Sequence, residues 1–170
     1  MEASGRQRIL HASTLVDAPP MAVFEFLAAL DNHWRLADRW IEVVSLDGPS
    51  GGAPDRGVVR MRGPLGVGRT ARTRVLEAHA PHRLRGSAQI GDGTIARVGW
   101  DLEEVEGATL VRLAATVENA GPLDRVLLRL GARAWLRRRF RSVLNRLRDH
   151  FDGVEPVTPM ESTILEVQRA

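Results

Sequence analysis

The stretch Thr14-Leu15-Val16-Asp17-Ala18-Pro19-Pro20-Met21-Ala22-Val23-Phe24-Glu25-Phe26-Leu27 decides the fold. It closes an alternating strand that begins at Ile9, steps through Ala18-Pro19-Pro20, and opens an apolar helix carrying Phe24, Phe26, Leu27 and Leu30. Proline is tolerated in a first helical turn because its missing N–H leaves no bond unmade there. The step therefore reads as strand straight into helix. A run of short strands follows, and then Gly121-Pro122 opens a long helix that reaches about Phe151. This order predicts a sheet wrapped around a helix.

Strand parity orders the meander. From Ala108 to Asn119 one face is Val111, Leu113, Ala115 and Val117; from Thr94 to Glu104 the matching set is Ala96, Val98, Trp100 and Leu102. A two-residue turn at Glu106-Gly107 sets Trp100 opposite Leu113 and Val98 opposite Ala115, so both inner faces agree. A three-residue loop, Gly91-Asp92-Gly93 with Gly93 left-handed, then sets Leu84 opposite Trp100 and Gly86 opposite Val98. The same logic turns Ala71, Thr73 and Val75 inward across the His79–His82 turn, and Val59 and Met61 inward across a loop at 64–68. Eight strand arginines (60, 62, 72, 74, 83, 85, 97 and 112) fall on the outer face, with Asp101 between Arg83 and Arg112. Only Arg69, at a strand start, can reach the rim of an inner pocket.

The 170 residues fit one domain with a real core. We expect an N-terminal extension at 1–7, the domain at 8–151 and a loose tail at 152–170, where Pro156 and Pro159 interrupt any element. Cysteine and tyrosine are absent, which excludes disulfides, thiolate chemistry and phenolic acids. All 24 basic residues are arginine, read here as a compositional bias. The first residues lack an apolar signal core, and a cytoplasmic location is expected.

The combination of residues 14–27 with Asn32-His33-Trp34, Trp40, the Glu77–Arg83 turn and the closing helix resembles the helix-grip fold of the START/birch-allergen (SRPBCC) superfamily. Within it the likeness is to the bacterial polyketide cyclase/dehydrase and lipid-transport branch. The resemblance implies an α+β fold: a curved antiparallel sheet of about seven strands around a long C-terminal helix, with two short helices after the first strand. It also implies a cavity between sheet and helix.

With the arginines turned outward, the expected pocket is nearly apolar: Phe24, Leu27, Val59, Met61, Thr73, Val75, Leu84, Gly86, Val98, Trp100, Leu102, Leu113, Val117, Leu130 and Ala134. Its mouth is expected at His33, Trp34, Arg35, Asp38, Leu65 and Arg69. Polar exceptions inside are Thr73, with Thr14, Glu42 and Ser45 depending on facing. Such a surface suits a hydrophobic small molecule or lipid. Gly86, opposite Val98, favours a cavity over a solid core.

Catalysis needs a positioned acid, base or nucleophile. His79 and His82 flank a turn proline and His150 ends the closing helix; His11 alternates in the first strand and could face either way, and His33 is the leading candidate, with capping or surface duty its simpler reading. No nucleophile elbow surrounds Ser13 or Ser45, and the Gly63–Gly68 run lacks the Lys-Ser/Thr of a phosphate loop. No metal, cofactor or catalytic residue is assigned. A non-catalytic carrier or sensor leads; an aromatase/cyclase acting on a carrier-protein-bound substrate is the alternative.

Between Asp124 and Asp149 stand nine arginines and two acids. A solvated outer face is the simplest account; an acidic protein partner or an anionic membrane surface comes next. A ribosome- or membrane-associated regulator is a third function class. Nucleic acid ranks last, because no aromatic residues interleave with the arginines for stacking. The apolar stripe shifts near Gly131, which predicts a bend. The sequence leaves the oligomeric state open.

Overall fold

The structure is a computed structural model and describes residues 8–37, 40–50, 52–63, 66–91 and 93–153. The elements run β1 (Arg8–Val16), α1 (Pro20–Ala28), α2 (Leu30–Arg35), β2 (Ile41–Asp47), β3 (Arg56–Arg62), β4 (Gly68–His79), β5 (Arg83–Ile90), β6 (Thr94–Val105), β7 (Ala108–Asn119), α3 (Pro122–Arg129) and α4 (Ala132–Asp152). The seven strands form one antiparallel sheet in the order β1-β7-β6-β5-β4-β3-β2. This is the helix-grip architecture. The expected extension at 1–7, and all of the expected 152–170 tail beyond Gly153, lie outside the described residues.

The registers follow parity. Trp100 pairs with Leu113 and Val98 with Ala115, while Leu84 pairs with Trp100 and Gly86 with Val98. Glu106 and Gly107 both have positive φ (51° and 85°), the geometry a two-residue hairpin turn demands. Ile90 pairs with Thr94 across the three-residue loop, whose Gly91 and Gly93 are the positive-φ positions. The β3–β4 pairing, Arg62 with Gly68, places that loop at 63–67, one residue earlier than expected.

The outer face is arginine-rich, as parity requires. Asp101 lies in register with Arg83 and Arg112; it pairs with Arg83 at 3.4 Å and with Arg85 at 2.6 Å, whereas Arg112 turns to Glu103 at 2.7 Å. Arg85 lies across Gly99, where a Cβ would stand 2.6 Å from its Nη1. Glycine at 99 thus lets the guanidinium also donate to the Trp100 carbonyl at 2.9 Å.

The expected single closing helix is two helices. Gly131, at φ 99°, breaks the helix outright between α3 and α4. Gly131 takes a left-handed conformation that L side chains rarely adopt, so the shift of apolar stripe is a new helix start and not a bend. α4 packs chiefly along β1 and buries Val143, Leu144 and Leu147. These residues join Val16, Val23, Phe24, Leu27, Leu102 and Val111 in a solid core under α1. Phe26 and Phe151 close that end edge to face, with centroids 5.7 Å apart.

Candidate functional site

The opposite end of the grip is hollow. A cavity of about 280 Å³ lies between the sheet and the segment formed by α3 and the first turns of α4. That is just below the range typical of small-molecule sites, roughly 300–1,000 Å³. Side-chain size explains why this end stays open. Inward positions near the packed end carry Leu84, Trp100, Leu102, Val111 and Leu113. At the hollow end the inward positions include Ala71, Thr73, Gly86, Ala88, Ala96 and Ala115. Leu127, Leu128, Ala132, Trp135, Leu136 and Phe140 roof this floor, and Trp40 meets Trp135 edge to face at 5.6 Å.

Of the expected pocket residues, Val59, Met61, Thr73, Val75, Leu84, Gly86, Val98, Trp100, Leu113 and Val117 line the cavity. Phe24, Leu27 and Leu102 instead belong to the solid core, because α1 and the second half of α4 fill that end. Leu130 and Ala134 are corrected outright: the break at Gly131 turns both to solvent, leaving Leu130 72% exposed. Gly86 also needs a different explanation. A Cβ there would stand 3.1 Å from the Arg74 carbonyl, beside the β4 bulge between Val75 and Glu77, so the close backbone approach favours glycine.

At the expected mouth, Trp34 and Arg69 line the cavity, Arg35 is exposed, and Asp38 and Leu65 lie outside the described residues. Glu42 is exposed and reaches Arg60 at 3.5 Å, Ser45 reaches Asp47, and His11 is exposed; none of these enters the cavity. Thr14 is half-buried and is not among the lining residues. Thr73 does line it, its hydroxyl donating to the Gly57 carbonyl at 3.2 Å.

Asp55, Ser87 and the strand arginines Arg62, Arg74 and Arg85 contribute atoms to the wall, and two polar clusters interrupt the apolar lining. In the first, Arg69 donates through both terminal nitrogens to Asp124, each at 3.0 Å, and both side chains are largely buried. The Thr94 hydroxyl also donates to Asp124 and accepts the Gly121 N–H at 2.9 Å. The sequence reading misses this cluster: Asp124 in the first turn of a helix is a stabilising placement by itself and does not point to Arg69. Its members neutralise one another and fasten α3 to β4 and β6.

The second centres on His33, which lies in the cavity wall and not at the mouth. Its Nδ1 is 3.2 Å from the Leu27 carbonyl oxygen. A carbonyl can only accept, so the proton sits on Nδ1 and Nε2 keeps a free lone pair. Burial lowers its pKa from 6.5 to about 4, outweighing the hydrogen bond to Leu27, and the ring is neutral near pH 7. Trp34 and Trp100 stand edge-on to it, with centroids 4.9 and 5.5 Å away. Both indole N–H groups are buried and find no acceptor among the described residues. Among those residues no cluster of His, Asp or Glu could hold a metal.

The family model described as polyketide cyclase / dehydrase and lipid transport matches residues 7–152. Solved structures share the fold at low identity. The protein TTHA0849 of Thermus thermophilus is 20% identical, covering 85% of this chain and 97% of its own, with a TM-score of 0.62. A START superfamily protein from Mycobacterium smegmatis is 12% identical, covering 84% and 98%, at 0.60. DynU16, a protein of the dynemicin biosynthetic locus, is 17% identical, covering 87% of this chain and 48% of its own, at 0.56. No curated protein matches the chain.

Proposed function

The chain belongs to the polyketide cyclase/dehydrase and lipid-transport family, and from that premise we propose that it is a non-catalytic cytoplasmic carrier or sensor of a hydrophobic small molecule held in the hollow end of the grip. The observation that carries this reading is the alanine-paved cavity under α3 and α4. Covering apolar wall contributes ~25 cal/mol per Å² removed from water, so apolar contact alone supports binding.

His33 favours a second reading, a cyclase acting on a carrier-bound poly-β-ketone. Its free Nε2 is the one imidazole base in the cavity wall among the described residues. A pKa of about 4 makes it a weak base, since general bases work best near the operating pH. The carrier reading therefore stands first.

The test is uptake of a fluorescent fatty acid by protein stripped of endogenous lipid. Ala88→Phe, which fills the floor, should abolish uptake, while His33→Gln should change affinity by less than about threefold, under 1 kcal/mol. Unimpaired uptake by Ala88→Phe with the fold intact would overturn the carrier reading. Turnover of a poly-β-ketone thioester that disappears in His33→Gln would install the cyclase.

A further inference from the structure

Helix α3 has three faces. Asp124, Leu127 and Leu128 point to the cavity side, where the ion pair with Arg69 holds the helix. Arg125 and Arg129 make a second, exposed face. The third is a stripe of Leu123, Val126 and Leu130, 47%, 50% and 72% exposed. At 100° per residue these three fall within about 60° of one another, so they form one surface. No residue of α3 is fully buried.

A single exposed leucine needs no explanation. Three aliphatic side chains on one stripe, flanked on one side by arginines, have the pattern of a helix that lies in a membrane interface. The charge is one-sided as well. Asp124 is the only acid from 122 to 141 and it is turned inward against Arg69, so the outward charges of this segment are all cationic. Arg133 and Arg137, in the first turns of α4, are exposed as well.

We propose that α3 docks the domain on an anionic lipid bilayer. Leu123, Val126 and Leu130 enter the headgroup boundary, and Arg125, Arg129, Arg133 and Arg137 meet the lipid phosphates. An acidic protein would match the arginines but leave the aliphatic stripe unexplained; a bilayer accounts for both. The docked helix is also a wall of the cavity, so this orientation sets that wall against the membrane. The proposal does not depend on what the cavity holds.

Vesicle co-sedimentation tests it, with phosphatidylcholine alone against phosphatidylcholine mixed with phosphatidylglycerol. The full chain should bind the mixed vesicles, bind phosphatidylcholine far less, and release as salt rises. Arg125→Gln and Arg129→Gln should each lose about fivefold in affinity. Val126→Ser with Leu130→Ser, at exposed positions and with an unchanged circular dichroism spectrum, should lose about tenfold or more. Leu130→Trp should gain a blue-shifted emission component that brominated lipid quenches. The proposal falls if mixed vesicles are not bound, if both vesicle types bind equally, if the double serine variant binds undiminished, or if the new indole is not quenched. Capture of an acidic protein without vesicle binding would likewise overturn it.

Discussion

The two ends of this grip share strands and a closing segment, yet one is solid and the other hollow. At the solid end, bulky inward residues on β5–β7 meet α1 and the second half of α4, which buries Leu144 and Leu147 completely or nearly so. At the hollow end the same strands offer mainly smaller residues, alanine, glycine, threonine and valine, and the roof is α3 with the first turns of α4. What differs is side-chain volume along each strand and the break at Gly131. The fold is stabilised at one end and left free to bind at the other.

Trp100 stands at the boundary, 3% exposed, between Leu84 and Leu113. Trp100→Ala should lower the unfolding free energy by about 3–5 kcal/mol in urea titrations, the range for truncating a packed aromatic. A loss near zero with the fold retained would mean the indole is not packed against its neighbours, and the boundary would have to move toward α1.

A paired truncation sharpens the contrast. Leu147→Ala, in the solid end, should cost about 2–5 kcal/mol. Leu128→Ala, in the roof, should cost less than about 1 kcal/mol, because its side chain already borders empty space. Equal losses would contradict a difference between the ends.

His33 gives the comparison a pH signature. Its folded pKa of about 4 lies below the unfolded value near 6.5, so the unfolded chain takes up the proton first as pH falls. This group's contribution is intact above pH 6.5 and is lost progressively down to about pH 4, by up to about 3 kcal/mol. Urea midpoints measured across that window should fall more steeply for the native chain than for His33→Gln. Parallel curves would show that the ring is charged or solvated in the folded state.

Much of this was legible in the sequence because pairing rules are strict. A one-residue slip would flip a strand's whole apolar set, so Trp100 opposite Leu113 and the outward arginines followed from parity alone. The alanines at 71, 88, 96 and 115 were equally visible and are the best sequence signal of the hollow end. Other features depended on three-dimensional arrangement. Gly131 could signal either a bend or a stop, and the stop sends Leu130 and Ala134 to solvent. The Arg69–Asp124 pair joins residues 55 apart and follows from no local pattern. His33 belongs to the wall and not the mouth because α2 lays it against Trp100, a tertiary contact.

Native mass spectrometry of freshly purified protein tests the central claim most directly. The account predicts a complex heavier than the chain, from which denaturation releases an apolar small molecule, and which Ala88→Phe no longer forms. A spectrum of the bare chain, from a protein that also takes up no fluorescent fatty acid, would contradict it.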